Sequence, residues 1–301
     1  MEKILYFVLG ILFICLIYFV VKDKINSKVN EVEGFKQNQK VVVYNNKTLY
    51  DNFYSQVYDV LFQTESKNIF ELEKIIHYTK MNEQSNVLDV GSGVGFHVNY
   101  LNKKGIPAIG MDVSKDMIKK ASMEYPENKF QYGDILKLLD IDLIEREDKF
   151  THILMLYFTI YYIENKRLLF ENCFNSLKKG GYMAIHLVDR NNFDPIINAG
   201  NPLKFVDVQA VAKKRITESV VKFKKFTYKA NFSLENNNIA KFTETFINEF
   251  NDKRINKHTL YMDTQKSILS SAKSVGFRLK TQINLSGVNY KNQYIYILYK
   301  P

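Results

Sequence analysis

Asn86-Val87-Leu88-Asp89-Val90-Gly91-Ser92-Gly93-Val94-Gly95-Phe96 is the stretch on which the reading of this chain turns. Val87, Leu88 and Val90 make a short apolar run, as in a strand buried within a parallel sheet, and Phe96 to Lys104 reads as the start of a helix. The glycines fall at the turn between them. Gly91 and Gly93 can adopt backbone angles closed to other residues and carry no side chain, so a ligand can lie directly on the main chain at a helix N-terminus. Asp89, at the carboxyl end of the strand, adds a carboxylate to the same crevice.

Two nucleotide-binding readings compete. A dinucleotide fingerprint needs G-x-G-x-x-G, and here Phe96 stands where the third glycine would fall. A pyrophosphate also gains nothing from Asp89, whereas a ligand with a cationic end does. The pattern D-x-G-x-G-x-G resembles motif I of the class I S-adenosylmethionine-dependent methyltransferases, whose ligand carries an ammonium, a sulfonium and no phosphate. Asp112 closes a second predicted strand, 21 residues after Gly91, a spacing suited to a carboxylate that accepts from both ribose hydroxyls. A dehydrogenase would share that spacing. A third strand, Lys129 to Tyr132, runs into Gly133-Asp134-Ile135, similar to the family element whose carboxylate takes the adenine amino group and whose next side chain covers the ring. The fourth, Phe150 to Leu156, opens into Tyr157-Phe158-Thr159, and Leu177-Lys178-Lys179-Gly180-Gly181 resembles the L-K-P-G-G turn before strand five. Ahead of motif I, Leu49 to Asp59 resembles a helix that closes over the cofactor, with Tyr50, Tyr54 and Tyr58 recurring every four residues.

The resemblance spans residues 48 to 190 and implies a doubly wound α/β fold with a mostly parallel seven-stranded, Rossmann-like sheet. The implied cofactor is S-adenosylmethionine, held by Asp89, Gly91, Ser92, Gly93, Asp112, Val113, Asp134, Ile135 and Tyr157, with Tyr50 and Tyr54 from the lid. Plainer readings stand beside these: Asp112 and Asp134 could each cap a following helix, His97 could be an ordinary first-turn residue, and the tyrosines could be packing. No N-P-P-Y or D-P-P-Y string occurs, so adenine or glutamine amino-group methylation has no support.

Ile4 to Val21 holds 18 residues without a charge, roughly 27 Å as a helix and enough to cross a thin hydrocarbon core. A cleaved signal peptide would have a shorter apolar core and a small-x-small site, so a transmembrane anchor is expected. Lys22, Lys24 and Lys28 follow it, which places the remainder in the cytosol. The expected organisation is an anchor over residues 1–24, a linker over 25–40, and a methyltransferase domain over 41–301, with its core in 66–190 and 263–301. Cys15 falls in the anchor and Cys173 in a predicted helix, so neither a disulfide framework nor a metal cluster is indicated.

The net charge of +10 gathers in part at Lys213-Lys214-Arg215 and Lys222 to Lys229. A solvated strand face explains it best; an anionic lipid face or a nucleic-acid surface are the alternatives. Val220 to Phe232 alternates Phe226, Tyr228, Ala230 and Phe232 against lysine and polar residues, the pattern of a half-buried strand. Ile239 to Phe250 and His258 to Met262 follow as further strands of an antiparallel β insertion over 191–262. A helix from Asp263 to Val275 and the pair Phe277 to Leu285 and Tyr290 to Tyr299 close the core. The insertion resembles the substrate cover of family members that act on small molecules and lipids. The expectation is a membrane-anchored methyltransferase for a small or lipid-like acceptor, methylated on oxygen or nitrogen. Its rivals are an inactive scaffold module and, more weakly, an RNA methyltransferase. The acceptor pocket is placed among Tyr157, His186, Asp189, His258 and Tyr261, with His186, His258 and Tyr157 as candidate catalytic residues.

Overall fold

The structure is a computed structural model that describes residues 6, 9–11, 13, 15, 16, 40–46, 48–62, 65–137, 149–200, 208–235 and 238–301. In chain order it places β1 (Val41–Asn45), α1 (Asn52–Leu61), α2 (Glu65–Thr79), β2 (Val87–Val90), α3 (Phe96–Lys103), β3 (Ala108–Asp112), α4 (Lys115–Glu124) and β4 (Lys129–Tyr132). Then come β5 (Phe150–Met155), a 3-10 turn (Thr159–Tyr162), α5 (Lys166–Ser176), β6 (Leu177–Val188), and, after a further 3-10 turn, α6 (Val208–Val211). The chain ends with β7 (Glu218–Lys222), β8 (Phe226–Leu234), β9 (Ile239–Asn248), β10 (Lys253–Tyr261), α7 (Gln265–Val275), β11 (Arg278–Asn284) and β12 (Gln293–Tyr299).

Seven strands form one sheet in the order β11-β12-β6-β5-β2-β3-β4, with β12 antiparallel to both its neighbours and the other pairs parallel. The chain winds outward from β2 through β3 to β4, then returns to β5 on the other side. Strand order therefore reverses between β2 and β5, and a crevice opens at their carboxyl ends. All four β2 residues are buried, as a strand covered on both faces requires.

The other five strands form a second sheet in the order β1-β10-β9-β8-β7. Three differences from the sequence reading appear here. The expected continuous strand from Val220 to Phe232 is two strands, because the chain reverses at Phe223, whose amide donates to Phe226 O. The strand expected at His258 begins at Lys253, since its inward residues Arg254, Asn256 and His258 are polar and leave no apolar alternation to read. And β1, assigned no element from sequence, pairs in parallel with β10.

The expected transmembrane helix over Ile4 to Val21 is corrected. A span needs about 20 consecutive apolar residues in one helix, and among the described residues no helix is long and apolar enough to cross a membrane. Most of that stretch, and the expected linker apart from Lys40, lies outside the described residues. The single-pass membrane location and the cytosolic orientation drawn from it fall with the helix.

One apolar cluster joins the two sheets: Leu88, Ile153 and Ile185 from the first are continuous with Tyr228, Phe242 and Phe246 from the second. Arg254, 1% exposed, fastens the N-terminal arm to it. Its guanidinium donates to Asp51 Oδ2 at 2.7 Å, to Leu49 O at 2.9 Å and to Asn256 Oδ1 at 3.0 Å, and lies 3.9 Å from the centre of the Tyr44 ring. Asp51 Oδ1 in turn accepts from Tyr54 N and caps α1. Arg254→Met should cost roughly 3 kcal/mol, because it orphans a cap carboxylate and a buried amide together. Urea unfolding reads the cost, and a loss below about 1 kcal/mol would mean that apolar contacts alone hold the arm.

Candidate functional site

A cavity of about 1060 Å³ lies over the carboxyl ends of the parallel strands and under the second sheet. Its floor starts at the glycine turn. Gly91 has φ +73° and a Cβ there would stand 2.5 Å from Thr159 Cγ2, so neither the backbone angle nor the space admits another residue. Gly93, at φ +54°, has nothing within 4 Å of its Cβ position and presents bare main chain. Its amide donates to Asp112 Oδ2 at 2.9 Å, while Ser114 N donates to Oδ1 at 2.8 Å. The cap of α4 is Ser114, whose hydroxyl accepts from Met117 N, so Asp112 is not spent on the helix. Asp134 likewise begins no described helix; its Oδ1 accepts from Leu136 N in a local turn. Val113, 61% exposed, and Ile135, 3% exposed, flank these acids as an apolar slot.

Of the residues expected to hold the cofactor, Gly91, Gly93, Asp112, Val113, Asp134, Ile135, Tyr157, Tyr50 and Tyr54 line the cavity. Asp89 and Ser92 do not. Asp89 is 1% exposed beneath the turn with Oδ2 3.3 Å from His97 Nδ1, and Ser92 packs against Gly110, whose Cβ would lie 2.7 Å from its Oγ. Tyr157 sits at φ +52°, a costly angle for a bulky residue. Its hydroxyl donates to Asn68 Oδ1 and its carbonyl accepts from His186 Nδ1 at 2.9 Å. Tyr157 therefore contributes its ring and main chain to the wall.

Among the acceptor-side residues, His186, His258 and Tyr261 line the cavity, whereas Asp189 turns away to accept from Asn191 N and Asn192 Nδ2. Burial drives His186 well below the ordinary histidine range, so it stays neutral and weakly basic. His258 is differently placed. Its Nε2 lies 2.7 Å from Glu244 Oε2 and its Nδ1 2.6 Å from the Tyr162 hydroxyl, which accepts from Tyr50 OH at 2.8 Å. Glu244, wholly buried, also accepts from Tyr54 OH, Tyr228 OH and Asn256 Nδ2. Burial alone would raise its carboxyl; the neighbouring His258 and these hydrogen bonds outweigh burial and hold it below the usual carboxylate range. Burial pushes the Tyr50, Tyr54 and Tyr162 hydroxyls up, so all three remain donors. Glu244, Tyr162 and Arg254 were not singled out from sequence, and no local motif marks them.

Burial lifts the Asp112 carboxyl to about 6, with nearby Asp89 adding to the rise and the amides of Ser114, Gly93 and Val113 opposing it. Because this folded value lies above the ordinary carboxylate value, the stability tied to the protonated acid is present below about 4 and lost as pH rises through about 6. A ribose that donates both hydroxyls needs the ionised form. Affinity for a nucleoside cofactor should therefore fall as pH drops from 7 to 5, and Asp112→Asn should flatten that dependence while weakening binding by about 1.5 to 3 kcal/mol. Calorimetry at three pH values reads both effects; an affinity indifferent to pH and to the substitution would exclude the ribose role.

Residues 88–185 match the family model described as methyltransferase domain. The chain is 30% identical over 141 residues to the phosphoethanolamine N-methyltransferase of Plasmodium falciparum (isolate 3D7), covering 43% of this chain and 50% of that protein. It spans half or less of the length of the curated relatives it matches. Among solved structures, the CcbJ methyltransferase from Streptomyces caelestis superposes with a TM-score of 0.63 at 13% identity, covering 85% of this chain and 99% of that one. S-adenosylmethionine-bound CalS10, an amino pentose methyltransferase from Micromonospora echinaspora, gives 0.54 at 12% identity, covering 77% and 90%. With the strand order, the glycine turn and the domain match in agreement, residues 88–185 carry a methyltransferase domain within the class I S-adenosylmethionine-dependent methyltransferase fold, whose cofactor is S-adenosylmethionine.

Proposed function

We propose that this protein methylates an amine nitrogen of a small molecule, bound between the α1 tyrosines and the second sheet. The observation that carries the proposal is the continuity of one cavity from Asp134 and Asp112, through Gly91, to Tyr50, Tyr162 and His258. The named activity of the Plasmodium relative, an N-methyltransferase, supports nitrogen over oxygen. So do the walls: Tyr50, Tyr54, Tyr58, Phe62 and Phe242 give aromatic faces on which an ammonium group is favoured. On the same reading, residues 41–301 form one methyltransferase unit, with the stretch 191–262 as the cover of the acceptor.

When bound, S-adenosylmethionine would supply an electrophilic methyl group for the acceptor nitrogen. The chain's own residues then have two tasks. Gly91, Gly93, Asp112 and Asp134 fix the nucleoside so that alignment is set before attack. The hydroxyl chain from Tyr50 through Tyr162 to His258 gives the ammonium proton a way out, with Glu244 stabilising the imidazolium that forms. His258 thus acts through Tyr162, and the base expected from sequence is one step removed from the acceptor.

The purified full-length chain, incubated with methyl-labelled S-adenosylmethionine and a panel of ethanolamine, phosphoethanolamine, amino sugars and matched alcohols, should label amines. Label confined to alcohols or carboxylates would overturn the nitrogen reading, and cofactor binding without transfer to any class would favour the scaffold alternative. Tyr162→Phe should lower kcat by about a hundredfold with cofactor affinity unchanged, the usual scale for losing a proton path. Single-turnover rates measured across pH test this, and an unchanged rate would leave alignment and desolvation as the whole mechanism.

A further inference from the structure

One corner of the cavity carries a charge that the transfer scheme leaves unused. Lys67, on α2, is 1% exposed and lines the cavity, whereas the other lysines lining it, Lys115 and Lys137, are exposed. Its Nζ lies 2.6 Å from Glu71 Oε1, 4.0 Å from the centre of the Tyr157 ring and 5.1 Å from that of Tyr290. Among the described residues no hydrogen-bond acceptor takes its remaining N–H groups. Glu71 is fully buried and does not line the cavity, so the ion pair turns its positive end toward the space and its negative end away. His186, in the same corner, is neutral and adds no charge. Burial pulls Lys67 below the ordinary lysine range against the pull of Glu71, so a second anion at Nζ would steady its charged form.

The position of this corner along the sheet matters. From Asp134 at the end of β4, the strand ends run through β3 and β2 to Tyr157 past β5, which is three interstrand steps or roughly 14 Å. A nucleoside whose adenine sits at Asp134 and whose ribose sits at Asp112 extends its amino-acid end along that line. It would end over Tyr157, where the Lys67 ammonium stands.

We infer that Lys67 is the receptor for an anionic group in the cavity, the carboxylate at the amino-acid end of the cofactor or an acidic group on the acceptor. The inference rests on the cofactor reading above. Its test is calorimetry on the full chain and on a Lys67→Met, Glu71→Gln double variant, which removes the cation without leaving a buried carboxylate unpaired. The ligands are S-adenosylmethionine and its decarboxylated analogue, followed by phosphoethanolamine and ethanolamine. The expected result is at least tenfold weaker binding of S-adenosylmethionine by the variant, with the decarboxylated analogue unaffected. Weakening confined to phosphoethanolamine, with both cofactors and ethanolamine unaffected, would also support the inference and identify the acceptor as the source of the anion. Unchanged affinity for all four ligands would overturn it, as would equal losses for the two cofactors, which would reflect damage to the corner's shape. Failure of the unsubstituted chain to bind S-adenosylmethionine would strike the cofactor reading itself and is read from the first titration.

Discussion

A carboxylate removed from water must be surrounded by donors or it will not stay ionised. Glu244 is such a group, and the upper half of this molecule is arranged around meeting that demand. The donors come from α1 through Tyr54, from β8 through Tyr228, and from β10 through Asn256 and His258. Each donor fixes the element that carries it. A helix from the N-terminal arm and three strands are thereby held at one depth, and the roof of the cavity takes its shape from their agreement. Arg254, one step along the same inner face, does for the arm what Glu244 does for the roof: it binds a cap carboxylate, a main-chain carbonyl and a neighbouring amide at once.

The floor obeys a different constraint. It depends on where parallel strands stop. Gly91 and Asp112 each follow the last buried residue of a strand, Asp134 comes two residues past the end of β4, and the strand ends are level because the ladder of β2, β3 and β4 is in register. Main-chain amides then orient the Asp112 carboxylate from two sides. Floor and roof thus meet the cavity with unlike chemistry: main chain and strand-end acids below, aromatic rings and relayed hydroxyls above.

That contrast explains what could be read from sequence. The floor is local. A glycine turn and an acid after a short apolar run are visible within a dozen residues, and Asp112 and Asp134 repeat the pattern at the next two strands. The roof is not local. Glu244 meets Tyr54 across 190 positions and His258 meets Tyr162 across 96, so no window contains the network. Burial by pairing also erased the usual strand signal, since β10 turns Arg254, Asn256 and His258 inward where an apolar alternation is sought. Asp89 shows the opposite failure. Its motif position suggests a ligand, but the strand end buries its side chain against His97 beneath the turn. At the N-terminus, composition over Ile4 to Val21 argued for a membrane span, whereas among the described residues no helix is long and apolar enough to cross a membrane.

The apolar cluster that runs from Leu88 and Ile153 into Phe242 and Phe246 has a consequence for how this molecule can diversify. Because the two sheets share one interior, the second sheet cannot be excised or exchanged as a cassette without exposing the apolar face of the first. On the proposed function, selection for a new acceptor acts by point substitution at side chains that both line the cavity and belong to that interior, such as Phe242 and Leu260. A change of acceptor at these positions is also a change in packing. Specificity and foldability are therefore drawn from the same side chains, and homologues that differ in acceptor should carry compensating changes across the sheet-to-sheet contact.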